Sequence, residues 1–145
     1  MFDHVGIAVA DLAASERFYR TVLSVLGAEP SHADAGLVEW EDWAIRPTDR
    51  EHQVTRGLHV GFRARDRAQV DAFWRVGIDA GYRDDGAPGL RTQYAPTYYY
   101  GGFLLDPDGN SVGQSAAISM RLRPSAMSTT CGSASATRRS PGAST

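Results

Sequence analysis

The strongest constraint on this chain is that it contains itself twice. Displaced by 55 residues, His4-Val5-Gly6-Ile7 falls on His59-Val60-Gly61-Phe62. The register continues without a gap: Asp11 meets Asp66, Ala13 meets Ala68, Phe18 meets Phe73, Tyr19 meets Trp74 and Arg20 meets Arg75. Self-similarity at a fixed offset marks a duplicated supersecondary unit that cannot bury its apolar face alone. Since 145 residues amount to about one ordinary domain, the copies are expected to share one core.

Each copy opens with period-two alternation, the mark of a strand with one apolar face. Val5, Ile7 and Val9 share a face, opposite His4, Gly6 and Ala8; Leu58, Val60 and Phe62 share a face, opposite His59, Gly61 and Arg63. Asp11 and Asp66 then stand where a helix N-cap is needed, and a carboxylate there accepts from unpaired backbone N–H groups. The stripe Leu12, Ser15, Tyr19, Val22 and Leu26, widened by Phe18 and Leu23, predicts a first helix reaching about Leu26 and stopping at Gly27. The second is expected from Arg67 to Gly77 or Asp79, burying Val70, Phe73, Trp74 and Ile78.

Short strands are expected around 28–31, 37–41 and 43–47 in the first copy. In the second, a short strand near Tyr82 is expected to give way to a loop over Asp84-Asp85-Gly86-Ala87-Pro88-Gly89. Strands over 97–105 and 111–117 follow, joined by a turn in which Pro107 fixes φ and Gly109 tolerates positive φ. The reading is a single α+β domain over 1–120, with βαβββ modules at 1–50 and 56–117 forming one curved mixed sheet with helices outside. Both histidines should face its concave side. Residues 121–145, rich in Ser, Thr, Ala, Gly and Arg, read as a flexible tail without a role for Cys131.

Charge and composition narrow the partners. A net charge of -2 without a basic block in the first 120 residues offers nothing to a nucleic acid. No stretch approaches the roughly 20 apolar residues of a membrane span, and no basic leader with an apolar core opens the sequence. The single cysteine precludes an internal disulfide. A soluble cytoplasmic protein acting on a small molecule is expected.

His4-Val5-Gly6-Ile7-Ala8-Val9, followed by Asp11-Leu12, Ser15 and Phe18-Tyr19, resembles the N-terminal signature of the vicinal oxygen chelate superfamily of glyoxalases, bleomycin resistance proteins and extradiol dioxygenases. Phe103-Leu104-Leu105-Asp106-Pro107-Asp108-Gly109-Asn110 resembles its C-terminal hairpin. The resemblance implies a homodimer and, in the dioxygenase-like arrangement, a metal site of two histidines and a glutamate. Residue by residue these places fall on His4, His59 and Gly113, so the glutamate is missing. A further histidine found in one subgroup, in a Tyr-His-Pro run, is replaced in Tyr94-Ala95-Pro96. A carboxylate from the first module, as in the glyoxalase-like arrangement, would come from Glu39, Glu41 or Asp42, of which Glu41 is favoured here.

Two functions of different class follow. One is a divalent-metal enzyme, with iron, manganese, nickel or zinc held by His4, His59 and Glu41, acting on a small oxygen-chelating substrate as a lyase or dioxygenase. The other is a metal-free protein that binds or sequesters a small aromatic or polyketide-like molecule in an apolar cavity, with tyrosines orienting it, in the manner of bleomycin resistance proteins. A disrupted homologue is a third reading of the compositional change after 117. Tyr99 or Tyr100 is the candidate hydroxyl for donating to a bound oxygen or moving a proton. Alternation puts Tyr98 and Tyr100 on one face and Tyr99 on the other without deciding which is concave. Arg46, Arg63 and Arg91 are the candidate cations at the rim. Trp40 and Trp43 are expected to be buried.

Overall fold

The computed structural model describes residues 1–94 and 99–118. The expected Tyr94-Ala95-Pro96 and Tyr98 features and the tail with Cys131 fall wholly or partly outside these residues.

The two modules appear in the expected order. The first is β1 (Val5–Val9), α1 (Leu12–Leu23), β2 (His32–Ala33), β3 (Val38–Glu39) and β4 (Trp43–Pro47); the second is β5 (His59–Arg63), α2 (Arg67–Asp79), β6 (Arg83–Arg91), β7 (Tyr99–Leu105) and β8 (Ser111–Ala117). Both caps form: the Asp11 carboxylate accepts from the Ala14 N–H at 3.0 Å and Asp66 from the Gln69 N–H at 2.9 Å. After α1 a 3-10 turn over Ser24–Leu26 carries the chain to Gly27, whose φ of 75° is the left-handed conformation that ends the helix.

The strands form two four-stranded sheets, ordered β1-β4-β3-β2 and β5-β8-β7-β6, each with its first strand parallel to its last. This corrects the expectation of one continuous sheet. Among the described residues no hydrogen-bonded ladder joins the two; they meet through side chains. Tyr19 packs on Trp43 at 5.3 Å between ring centroids, Trp43 meets Phe62 edge-on at 5.4 Å, and one core runs from Ile7 and Val9 through Phe18 and Val22 to Phe73, Leu104 and Val112. Trp40 and Trp43 are buried as expected.

The second correction is β6. Nine residues, Arg83–Arg91, pair with β7 where a loop was expected, with register shifts between Asp84 and Gly86 and between Gly86 and Gly89. The glycines and Pro88 that signal a turn are accommodated as irregularities on an edge strand, where a missing N–H costs no ladder bond.

A buried turn ties the modules. Asp106 accepts at Oδ1 from the backbone of Asp108 and Asn110, and at Oδ2 from the Asn110 amide and the Tyr19 hydroxyl of the first module. Asn110 also donates to the Thr55 carbonyl and accepts from the Leu58 N–H, while Asp108 accepts from the Ala10 N–H. Pro107 and Gly109 (φ 86°) close the turn as expected. Among the described residues no helix is long and apolar enough to cross a membrane.

Candidate functional site

Period two decides what each sheet offers to solvent. In the first, Ile7 and Val9 are buried against the helices while His4 and Gly6 are exposed; in the second, Val112 and Leu104 are buried while His59 and Gly61 are exposed. Both histidines therefore lie on faces turned away from the helices, but on two separate sheets rather than on one shared concave surface.

They stand in different surroundings. His4 bonds through Nδ1 to its neighbour Asp3 at 2.9 Å and is 73% exposed. That bond and the Asp3 charge, with a contribution from Glu39, hold its pKa above the ordinary histidine value. The Glu39 contribution fits the register: Glu39 pairs with Ala44, which pairs with Gly6, so Glu39 shares the face of Gly6 and His4. Glu41, the favoured carboxylate, follows β3 and instead lines a cavity of about 520 Å³ with Trp40, Trp43, Phe62 and Arg63. Among the described residues no three or more His, Cys, Asp or Glu side chains are grouped so as to hold a metal.

On the second sheet, His59 opens a row that register continues through Ser111 to Leu105, and the next row on the same face runs Gly61, Gly113, Phe103 and Gly86. A Cβ built on Gly113 would lie 2.3 Å from Cδ1 and 2.4 Å from Cε1 of Phe103. The Phe103 ring thus rests on Gly113, in the space that any side chain at 113 would occupy. Its centroid is 5.3 Å from that of His59, and the Arg91 guanidinium lies 5.0 Å above it. Arg91 is anchored by Nη2, which donates to the carbonyls of Ala87 at 2.8 Å and Gly101 at 3.3 Å.

His59 is also held from below. Its Nδ1 lies 3.0 Å from the Ser111 hydroxyl, which donates to Oδ2 of Asp85. These groups, with Arg91, Gln93 and Phe103, line a cavity of about 230 Å³. Farther along the same face Tyr99, Arg63, Gly61 and Ser115 line a second of about 620 Å³.

The two candidate tyrosines separate cleanly. Tyr99 pairs with Ala117 and Arg91 and belongs to the open face. Tyr100 faces α2: its hydroxyl donates to Asp71 at 2.6 Å, its ring lies under Arg67, and the bond to Asp71 raises its pKa. Arg63 is exposed and Arg46 half-buried on the open faces.

Sequence reasoning missed Phe103, Ser111 and Asp85. Asp85 was hidden by the misreading of β6 as loop. Phe103 carried a signal, an aromatic whose hairpin partner is a glycine, but that pairing becomes visible only once the register of β7 on β8 is known.

The donor set does not fit the family's two-histidine, one-carboxylate site on this sheet. In the arrangement the resemblance implies, the carboxylate that joins His59 would come from position 113, where there is neither a side chain nor room for one while Phe103 lies there.

Comparison with known proteins agrees with this architecture. The family profile described as Glyoxalase/Bleomycin resistance protein/Dioxygenase superfamily matches residues 1–113. Among solved structures, a glyoxalase/bleomycin resistance protein from Albidiferax ferrireducens T118 superposes with a TM-score of 0.71 at 32% identity, covering 80% of this chain and 98% of that one. A glyoxalase/bleomycin resistance protein/dioxygenase from Alicyclobacillus acidocaldarius gives 0.59 at 18% identity over 85% and 96% of the two chains. A lactoylglutathione lyase from Agrobacterium tumefaciens gives 0.57 at 21% over 80% and 92%. No curated protein matches the sequence.

Proposed function

The chain belongs to the Glyoxalase/Bleomycin resistance protein/Dioxygenase superfamily, and from that premise we propose that it is a metal-free member that binds a small planar molecule on the open face of its second sheet. One observation carries this reading: the Phe103 ring rests on Gly113. The position from which a metal-binding carboxylate would reach His59 is thereby given to an aromatic surface. Around it stand the features of a small-molecule site: apolar and aromatic lining from Phe103 and Tyr99, and a few polar groups, Arg63, Arg91 and His59, that orient a ligand. The cations favour a ligand with an anionic group.

The divalent-metal reading draws its support from the first sheet, where His4 and Glu39 share a face. Two donors there fall short of the three that catalytic sites commonly use. The working form is proposed to be a cytoplasmic homodimer.

The test is elemental analysis of untagged protein on a size-exclusion peak of measured mass, before and after incubation with iron, manganese, nickel or zinc salts, beside the His4→Ala, His59→Ala double variant. Less than about a tenth of an equivalent of metal is expected, in a peak of twice the chain mass. Near one equivalent, lost in the variant, would establish the metal enzyme instead; a monomeric mass would remove the homodimer.

A further inference from the structure

The side chains of Asp85, Ser111 and His59 form a hydrogen-bonded series whose polarity is fixed by chemistry. An ionised carboxylate only accepts, so the Ser111 O–H must donate to Asp85. The Ser111 oxygen then has only lone pairs to offer His59, so Nδ1 of His59, 3.0 Å away, must carry the proton. In the neutral imidazole Nε2 is left bare, as a hydrogen-bond acceptor. The same polarity separates these residues from a hydrolytic triad. There the serine hydroxyl points at the histidine and loses its proton to it; here the hydroxyl keeps its proton, donates a hydrogen bond to the carboxylate and serves as a support.

The acceptor is paired with a donor. Arg91 lines the same cavity of about 230 Å³, and its guanidinium and the His59 ring flank Phe103 at 5.0 and 5.3 Å from the ring centroid. Only Nη2 is drawn to the backbone carbonyls, while Nε is buried without a partner among the described residues. A ligand matching both groups must present a hydroxyl that donates to Nε2 and, nearby, an anionic oxygen that accepts from Arg91.

We infer that this cavity recognises small planar acids carrying a hydroxyl next to the acid group, with His59 as specificity-determining acceptor, Arg91 as anion donor, and Ser111 and Asp85 as positioning residues that fix the tautomer. The inference rests on the metal-free reading above and names its ligand class. Discrimination follows because a site built to accept a hydroxyl proton penalises an analogue lacking it, whose binding leaves the polar group unmatched.

Salicylate, 2-methoxybenzoate and benzoate are the probes, titrated in chelator-treated buffer against protein of measured metal content. Salicylate is expected to bind at least about tenfold more tightly than either analogue. The preference should disappear in His59→Leu, fall several-fold in Ser111→Ala and survive in Ser111→Thr. In an independent measurement on the parent protein, nitrogen NMR should show His59 as the Nδ1–H tautomer above neutral pH, with that preference lost in Ser111→Ala. Equal affinity for the three probes, no binding of any, or an Nε2–H tautomer overturns the inference and leaves the metal-free reading standing. Salicylate binding that appears only on adding a divalent metal overturns both.

Discussion

At the scale of single residues the second sheet is organised by what position 113 lacks. Because Gly113 has no Cβ, the Phe103 ring can lie on the strand beside it, and His59 and Arg91 take their places around that ring. Gly113→Ala should therefore force the ring to move. Overpacking of this kind costs about 1–3 kcal/mol, and the loss should shrink in a Phe103→Ala background, where the ring that clashes is gone and only the Gly102 carbonyl oxygen, 3.2 Å from the new Cβ, still crowds it. Urea unfolding of the two single variants and the double variant measures this coupling directly; equal losses in both backgrounds would place the ring elsewhere. The sequence marked His4, His59 and Arg63 through alternation alone, since a period of two assigns faces without tertiary information. It could not choose between Tyr99 and Tyr100, because alternation separates them without saying which face is open. It favoured Glu41, whereas Glu39 is the carboxylate that shares the face of His4, because β3 is two residues long and pairing, rather than propensity, sets its register.

Among the elements, α1 and α2 were the most legible, for their apolar stripes and capping aspartates are local signals. The turn at 106–110 was legible in shape but not in reach. Nothing in Asp-Pro-Asp-Gly-Asn shows that its carboxylate will accept from Tyr19, far away in the chain. That bond makes a prediction about pH. Burial first, and then the charge and hydrogen bond of Asp106, raise the Tyr19 pKa above the ordinary value of 10.0. The folded protein keeps the phenol proton that the unfolded chain releases, so the stability it contributes is complete below about pH 10 and falls as pH rises beyond it. Tyr19→Phe should cost about 1.5–3 kcal/mol at neutral pH, the worth of a hydrogen bond to a charged group, and should show a shallower loss of stability from pH 9 to 11. Denaturant unfolding across that range would contradict the account if the two proteins lost stability in parallel. The strand β6 was misread for a physical reason: Gly86, Pro88 and Gly89 carry turn chemistry, and only the adjacent β7 makes a bulged edge strand of them.

At the scale of the whole molecule, duplication explains both what is shared and what differs. Each module pairs its first strand parallel to its last and turns its helix to a common core, which is why the 55-residue offset foretold the architecture before any element was placed. The open faces have diverged. The first sheet carries His4 and Glu39 above a floor that includes Gly6 and Ala44, while the second carries an aromatic and cationic surface supported by Asp85 and Ser111. That the two sheets remain separate ladders was not legible, because alternation reports which faces are apolar and not which edges pair. The functional account depends on Phe103 covering Gly113 in solution, and proton NMR tests this most directly. The account predicts cross-relaxation between the Phe103 ring protons and the Gly113 Hα protons, with at least one Hα displaced by the ring current. Gly113 Hα shifts at ordinary strand values, with no cross-relaxation to Phe103, would leave the space beside His59 open and contradict it.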